Sequence, residues 1–344
     1  MEATITLPRR MDLKNALSFC FELDNFNCTE VDSITYKTPD FGTCDPFGML
    51  MIGAKIREFE KRNNHITYYY DPVDIPHSYS AHMGFYQSIG IPYGKEPGEA
   101  SGSHTYKPIS KLSIDIIKKT AQRRRVNVAE VVEDHAEALA KILYAGSTEA
   151  VEHMSFAIRE IMRNVVEHSK SDTLWYAGQV WRSYDLVEIA ILDDGIGIHD
   201  SLKANRYYAP HVNNNLEALK LALEPGITRT FMPNRRIRED YEDGWRNSGF
   251  GLYITSNICS NIGSFFMCSG DSAVERSKLK ENFIPCSLQG TAIRMRLRLI
   301  DIPLVTDLRS KLLREGEVHA LKNAKAIGKA SKASGLSFMR DRTE

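Results

Sequence analysis

Leu186-Val187-Glu188-Ile189-Ala190-Ile191-Leu192-Asp193-Asp194-Gly195-Ile196-Gly197 is the stretch on which the reading of this 344-residue chain turns. Val187, Ile189 and Ile191 alternate with Glu188 and Ala190, which is the period of a half-buried strand over Leu186 to Leu192. Asp193 and the glycines follow at its end. A carboxylate there can accept a hydrogen bond from an exocyclic amine, and Gly195 and Gly197 let the backbone turn sharply or approach a flat ring. Alone, such a DxGxG is weak evidence, because strand-to-loop turns commonly use Asp and Gly.

Before it, Met154, Ala157, Ile158, Ile161 and Val165 recur at spacings of three and four and predict one buried helix face. Glu160, Asn164 and His168 lie on a neighbouring stripe at i, i+4 and i+8. An amide oxygen is a hard donor suited to Mg²⁺, and a carboxylate one turn earlier can take a proton from a nucleophile. Metal-assisted phosphoryl transfer needs both parts. After it, Gly249-Phe250-Gly251-Leu252 opens a helical run through Ile254, Ile258 and Ile262, which would point free N–H groups and a positive helix end at an anion. The pattern is neither a Walker A loop nor a dinucleotide fingerprint. Gly290-Thr291 then leads into an alternating strand, Ala292 to Leu297, with a hydroxyl available to a base.

In this order the four motifs resemble those of the GHKL ATPase superfamily, which includes gyrase-type ATPases, Hsp90 chaperones, MutL and the histidine and anti-sigma serine kinases. The resemblance covers Ala150 to Leu299. It implies an α/β sandwich over 146–302, with helices layered on one face of a mixed sheet, and ATP and Mg²⁺ as ligands. It further implies Glu160 as general base, Asn164 as Mg²⁺ ligand, Asp193 as adenine reader and Gly195 and Gly197 as the base and ribose turn. Gly249, Gly251 and Leu252 would meet the phosphates, and Thr291 would make a second adenine contact. His168 matches a histidine of the anti-sigma-kinase branch; a capping histidine at the helix end is the structural alternative. The superfamily's ATP lid would occupy about 199–248, a span too long for a passive loop. Within it Asn213 to Leu223 reads as a helix, and Arg229, Arg235, Arg236, Arg238 and Arg246 are candidates for the γ-phosphate.

The first third alternates strands (Ala3 to Leu7, Ser33 to Lys37, His65 to Tyr70) with helices capped by Asp12 and by Asp45-Pro46, and a further helix fits Ser78 to Ile89. This element order resembles a STAS-type domain over 1–95. In that family a hydroxyl ahead of the second helix can be phosphorylated. Thr43 stands in that place, although Phe41-Gly42-Thr43-Cys44-Asp45-Pro46 departs from the customary Asp-Ser-x-Gly. Glycine, serine and proline make 96–110 a linker, and 111–145 reads as a helical connector. Arg123-Arg124-Arg125 within it suits a solvated turn better than a nucleic-acid contact. Over 303–344 Lys and Arg outnumber Asp and Glu, which suits a basic, mobile tail once Leu308, Leu312 and Leu313 have packed on the core.

The totals narrow the function classes. Forty-four basic residues balance 44 acidic ones, so no global field recruits nucleic acid or an anionic membrane. Six cysteines lie without CxxC or metal-ligand spacing, which fits a reducing compartment. No apolar run approaches the ~20 residues of a membrane span. The sequence therefore reads as a cytoplasmic, Mg²⁺-dependent ATP-binding protein that hydrolyses ATP or passes its γ-phosphate to a protein Ser or Thr. The rival is a non-catalytic, ATP-gated switch that meets a protein partner through the STAS-like region or the tail. Homodimerisation is left open.

Overall fold

The computed structural model describes residues 1–71, 78–143, 148–229, 249–323 and 326. The fold is mixed α/β. At its centre lies a five-stranded antiparallel sheet in the order β6-β7-β8-β10-β9, formed by β6 (Tyr106–Ser113), β7 (Thr173–Trp181), β8 (Leu186–Asp193), β9 (Gly263–Ser277) and β10 (Lys280–Arg298). The expectation of a mixed sheet is thus corrected, since every neighbouring pair runs antiparallel. Leu186 to Asp193 forms the central strand, flanked by Leu174 to Trp181 and by Thr291 to Arg298.

One face of the sheet carries the helices α5 (Ile114–Arg124), α6 (Val128–Ala140), α7 (Thr148–His168), α10 (Gly251–Ile262) and α11 (Val305–Leu321). Val187, Ile189 and Ile191 of β8 point into this layer and meet Ile158, Ile161, Ile254 and Ile258 in one apolar core. The helix face predicted from Met154 to Val165 is the buried one. Between β8 and α10, α8 (Gly197–Lys203) and α9 (Asn215–Ala222) enclose a small core of Leu202, Tyr208, Val212, Ala218 and Ile227.

The opposite face is covered as well, which differs from the expected half-buried strand. The N-terminal third folds as β1 (Glu2–Thr6), β3 (Ser33–Lys37) and β5 (Thr67–Tyr70) in one parallel sheet, with β2 (Arg10–Met11) and β4 (Thr43–Cys44) as a short separate pair. Its helices are α1 (Leu13–Asp24), α2 (Pro46–Arg62), α3 (Ser78–His82) and α4 (Phe85–Ser88). The single helix expected over Ser78 to Ile89 is split by Gly84 in the left-handed region, φ +84°. α2 packs on β7, β8 and β10, so Phe47, Leu50 and Ile52 share a core with Ala177, Ala190, Leu192, Phe266 and Ala292.

A buried charge network joins the two layers. Glu188 is fully buried; its Oε1 accepts the Phe47 N–H at 2.9 Å, and its Oε2 lies 2.7 Å from Arg296 Nε and 3.4 Å from Arg294 Nε. Asp45 sits at the α2 N-cap position, yet its side chain makes no capping hydrogen bond and pairs with Arg296 Nη2 at 2.8 Å instead. Burial, with Glu188 beside it, pushes the Asp45 carboxyl up to about 6 against the pull of Arg296 and Arg294. Asp12, by contrast, caps α1 as expected, accepting from the Asn15 N–H at 3.0 Å.

Two boundaries differ from the sequence reading. The segment taken as linker and then connector contains an edge strand, because Tyr106–Ser113 pairs with β7 before α5 begins. The span taken as a tail begins with α11, whose Leu312 is buried and whose Gly316 leaves room for the Tyr253 ring. Beyond Asn323 that span, apart from Ala326, lies outside the described residues. Among the described residues no helix is long and apolar enough to cross a membrane, and all six cysteines are free thiols.

Removing Glu188 leaves two guanidiniums without their central counter-charge. Glu188→Ala is expected to lower unfolding free energy by about 3–5 kcal/mol in urea titration, the usual cost of breaking a buried ion pair from one side. A shortened chain spanning 150–300 would bare the sheet face that α2 covers; light scattering on it should report aggregation where the full chain stays dispersed.

Candidate functional site

A cavity enclosing about 510 Å³ of empty space, part of it open to solvent, lies where α7, α8 and α10 meet the ends of β8 and β10. Asn164, His168, Asp193, Gly197, Leu252 and Thr291 line it, so residues from all four sequence motifs reach one place. The rest of the wall is mostly apolar: Ile161, Val165, Ile191, Ile198, Met267 and Ile293, with Ser169 and Ser201 adding hydroxyls. Helix spacing brings Asn164 and His168 onto the wall, and strand register brings Asp193 opposite Thr291.

Asp193 is 2 % exposed and accepts the Gly195 N–H at 2.9 Å. Burial pushes its carboxyl up to about 7; the Gly195 bond opposes the rise and the neighbouring Asp194 adds to it. The pocket therefore holds a proton acceptor of nearly neutral affinity. Asp194 faces away, accepting from the Ser171 hydroxyl, while its carbonyl accepts from Gln289 Nε2 at 3.3 Å.

The glycines serve close approach. Gly290, at φ +88°, lies so near the Asp193 carbonyl that a Cβ would come within 2.1 Å of its oxygen. Gly251 opens α10 directly against Glu160, where a Cβ would stand 2.6 Å from Oε2. Gly195 backs onto the Ser169 carbonyl, and Gly249 onto Ile227, both outside the cavity wall. Ser269, which the motifs did not single out, ties the turn together: its hydroxyl donates to the Gly290 carbonyl at 2.9 Å and accepts the Ile198 N–H at 2.9 Å. Its signal in the sequence is only its register, opposite Thr291.

Glu160 is not on the cavity wall. It is buried, with Oε1 3.3 Å from Arg159 Nη2 and 3.8 Å from Arg163 Nη1. Arg309 of α11 approaches the same group and lies over the Phe156 ring, as Arg159 does; burial, with Arg159 nearby, pushes the Arg309 guanidinium down to about 10. His168 lines the cavity with its ring 3.7 Å from Glu167 Oε2, and burial pushes its imidazole down, against the Glu167 charge. Of the expected lid arginines, Arg229 donates to the His168 carbonyl at 3.3 Å, so the first of them is fastened to the end of α7. Arg235, Arg236, Arg238 and Arg246 lie outside the described residues. Thr43 is half-buried, pairing with Arg10 between β4 and β2, and is remote in sequence from the cavity residues.

For a metal, Asn164 offers one hard oxygen donor on the wall. Among the described residues no group of three or more His, Cys, Asp or Glu is placed to hold an ion. A single protein oxygen suits Mg²⁺ that is shared with phosphate oxygens and water, and Asn164 fits that use. No protein-family model matches the chain, and no curated protein matches it.

Two outcomes test this geometry. Gly290→Ala adds left-handed strain of about 1–3 kcal/mol to a backbone collision, and thermal melting should fall accordingly. Because the folded Asp193 carboxyl titrates above its unfolded counterpart, near 3.9, the folded chain binds the proton first. Relative to Asp193→Asn, ligand-free stability should thus be highest at about pH 4, fall as pH rises to about 7 and level off beyond; a flat difference would remove the assigned titration.

Proposed function

We propose that the chain is a Mg²⁺-dependent ATP-binding protein of GHKL type that hydrolyses ATP or transfers its γ-phosphate to a protein Ser or Thr. The observation that carries this reading is the single cavity lined jointly by Asn164, Asp193, Gly197, Leu252 and Thr291. In it the Asp193 carboxylate accepts the adenine amine, Thr291 lies beside the base, and the apolar wall from Ile161 to Met267 takes its faces. Asn164 holds Mg²⁺ through its amide oxygen; the ion supplies charge neutralisation for the phosphates when bound. Gly249, Gly251 and Leu252 open α10 toward them. Glu160 is the proposed base, and the N-terminal STAS-like layer is the proposed site of partner binding.

A second reading has a specific observation in its favour. Glu160 is ion-paired and off the cavity wall, as suits an ATP-gated switch whose lid and N-terminal layer respond to occupancy without turnover. The two readings differ in phosphate release and in label transfer to protein from labelled ATP.

Binding is tested by thermal shift with ATP and Mg²⁺. At nucleotide concentrations 100 times the dissociation constant, stabilisation is expected to be about 2.7 kcal/mol. Asp193→Asn and Asn164→Ala should each remove most of it, and a shift that survives both refutes the pocket. The wild-type shift should also weaken as pH falls below about 7, where Asp193 takes up a proton and no longer presents two acceptor oxygens.

A further inference from the structure

Glu160 does not stand alone with its two arginines. Along α7 and α6 a line of alternating charges runs Glu133, Arg159, Glu160, Arg163, Glu167. Arg159 Nη1 is 3.3 Å from Glu133 Oε1, and Arg163 Nε is 2.6 Å from Glu167 Oε1, closer than the 3.8 Å from Arg163 to Glu160. The three central side chains are at most 5 % exposed, whereas Glu133 and Glu167 are 28 % and 35 % exposed. Each guanidinium thus has a second carboxylate at the solvent edge.

From this arrangement we infer that Arg159 and Arg163 are positioning residues that hold Glu160 away from the cavity, and that Glu133 and Glu167 set how readily they release it. A base must hydrogen-bond the water or hydroxyl that it deprotonates. As held, Glu160 turns one oxygen to the guanidiniums and the other to Gly251, and neither faces the cavity. Freeing a buried carboxylate would ordinarily strand two buried cations. Here the outer carboxylates keep Arg159 and Arg163 paired, and Arg309, the third guanidinium near Glu160, keeps its place over the Phe156 ring, so Glu160 can swing toward bound nucleotide at small cost. In the step that follows, the attacking oxygen bonds to the γ-phosphorus and the bridging bond breaks with its electron pair leaving on ADP. The proton from the attacking water or hydroxyl passes to Glu160.

This inference rests on the ATP-binding reading and makes predictions in opposite directions. The full chain is assayed for phosphate release with ATP and Mg²⁺, and for ATP-dependent thermal shift in parallel. Neutralising the outer carboxylates, Glu167→Gln alone and with Glu133→Gln, should lower kcat by about tenfold, some 1.4 kcal/mol of barrier, with the thermal shift retained. Glu167→Asp, which keeps the charge, should restore turnover. Arg163→Met should raise kcat; if that variant fails to fold, the half-exposed glutamates carry the test. Turnover unchanged in the glutamate variants, lowered alike by removal of either charge sign, or absent from every variant that binds ATP, overturns the inference while leaving ATP binding in place. A wild-type chain with no ATP-dependent shift fails at the earlier step and takes both down.

Discussion

Glu188 imposes the constraint on which the architecture depends. A carboxylate at the middle of the central strand, removed from water, is tolerated only when its oxygens are fully engaged. Those partners come from two directions: Arg294 and Arg296 from the adjacent β10, and the Phe47 N–H from the start of α2. The sheet cannot keep this residue buried unless the N-terminal layer is in place. The layer in turn is oriented by it, since α2 enters with its first turn against Glu188 and Asp45 against Arg296. Apolar area then supplies most of the stabilisation, with polar contacts deciding the docking position.

With both faces of the sheet covered, the candidate pocket can form only at the strand ends. There β8 stops at Asp193, β10 arrives irregularly, with register shifts on either side of Leu288, and α8 and α10 begin. Such irregularity commonly re-aims backbone near functional sites. Asp193 and Thr291 are the end pair of the β8–β10 ladder, next to that irregularity, whereas Gly197 and Gly251 are placed by turns that tolerate no side chain.

The parts of the molecule legible in the sequence were those with local causes. The i, i+3, i+4 spacing of Met154 to Val165 marked the buried face of α7, and the alternation of Val187, Ile189 and Ile191 marked β8 and its helix-facing side. Asn164, Asp193, Leu252 and Thr291, read in the sequence as parts of one pocket, line one cavity. The other face of β8 was not legible, because Glu188 and Ala190 read as solvent-facing until a layer more than a hundred residues away covers them. Asp45-Pro46 carried a capping signature, but a distant arginine took the side chain. Tyr106–Ser113 offered too few apolar residues in alternation to be told from a linker, and its strand character comes from pairing with β7. The ion pairs that turn Glu160 aside were likewise hidden, since neighbouring Arg and Glu in a helix look the same whether buried or wet.

The sequence separation across the inter-layer network also sets an order of events during synthesis. Phe47 waits for Glu188, 141 positions later, and Asp45 for Arg296, 251 positions later. At ~5–20 residues per second, the second interval lasts roughly 10–50 s. Through that time α2 has no sheet to cover, and Phe47, Leu50 and Ile52 are without the core they occupy in the finished fold. The newborn N-terminal third thus carries an uncovered apolar face until the sheet is complete, and synonymous changes that slow translation between β5 and β10 would lengthen its exposure without altering a single residue.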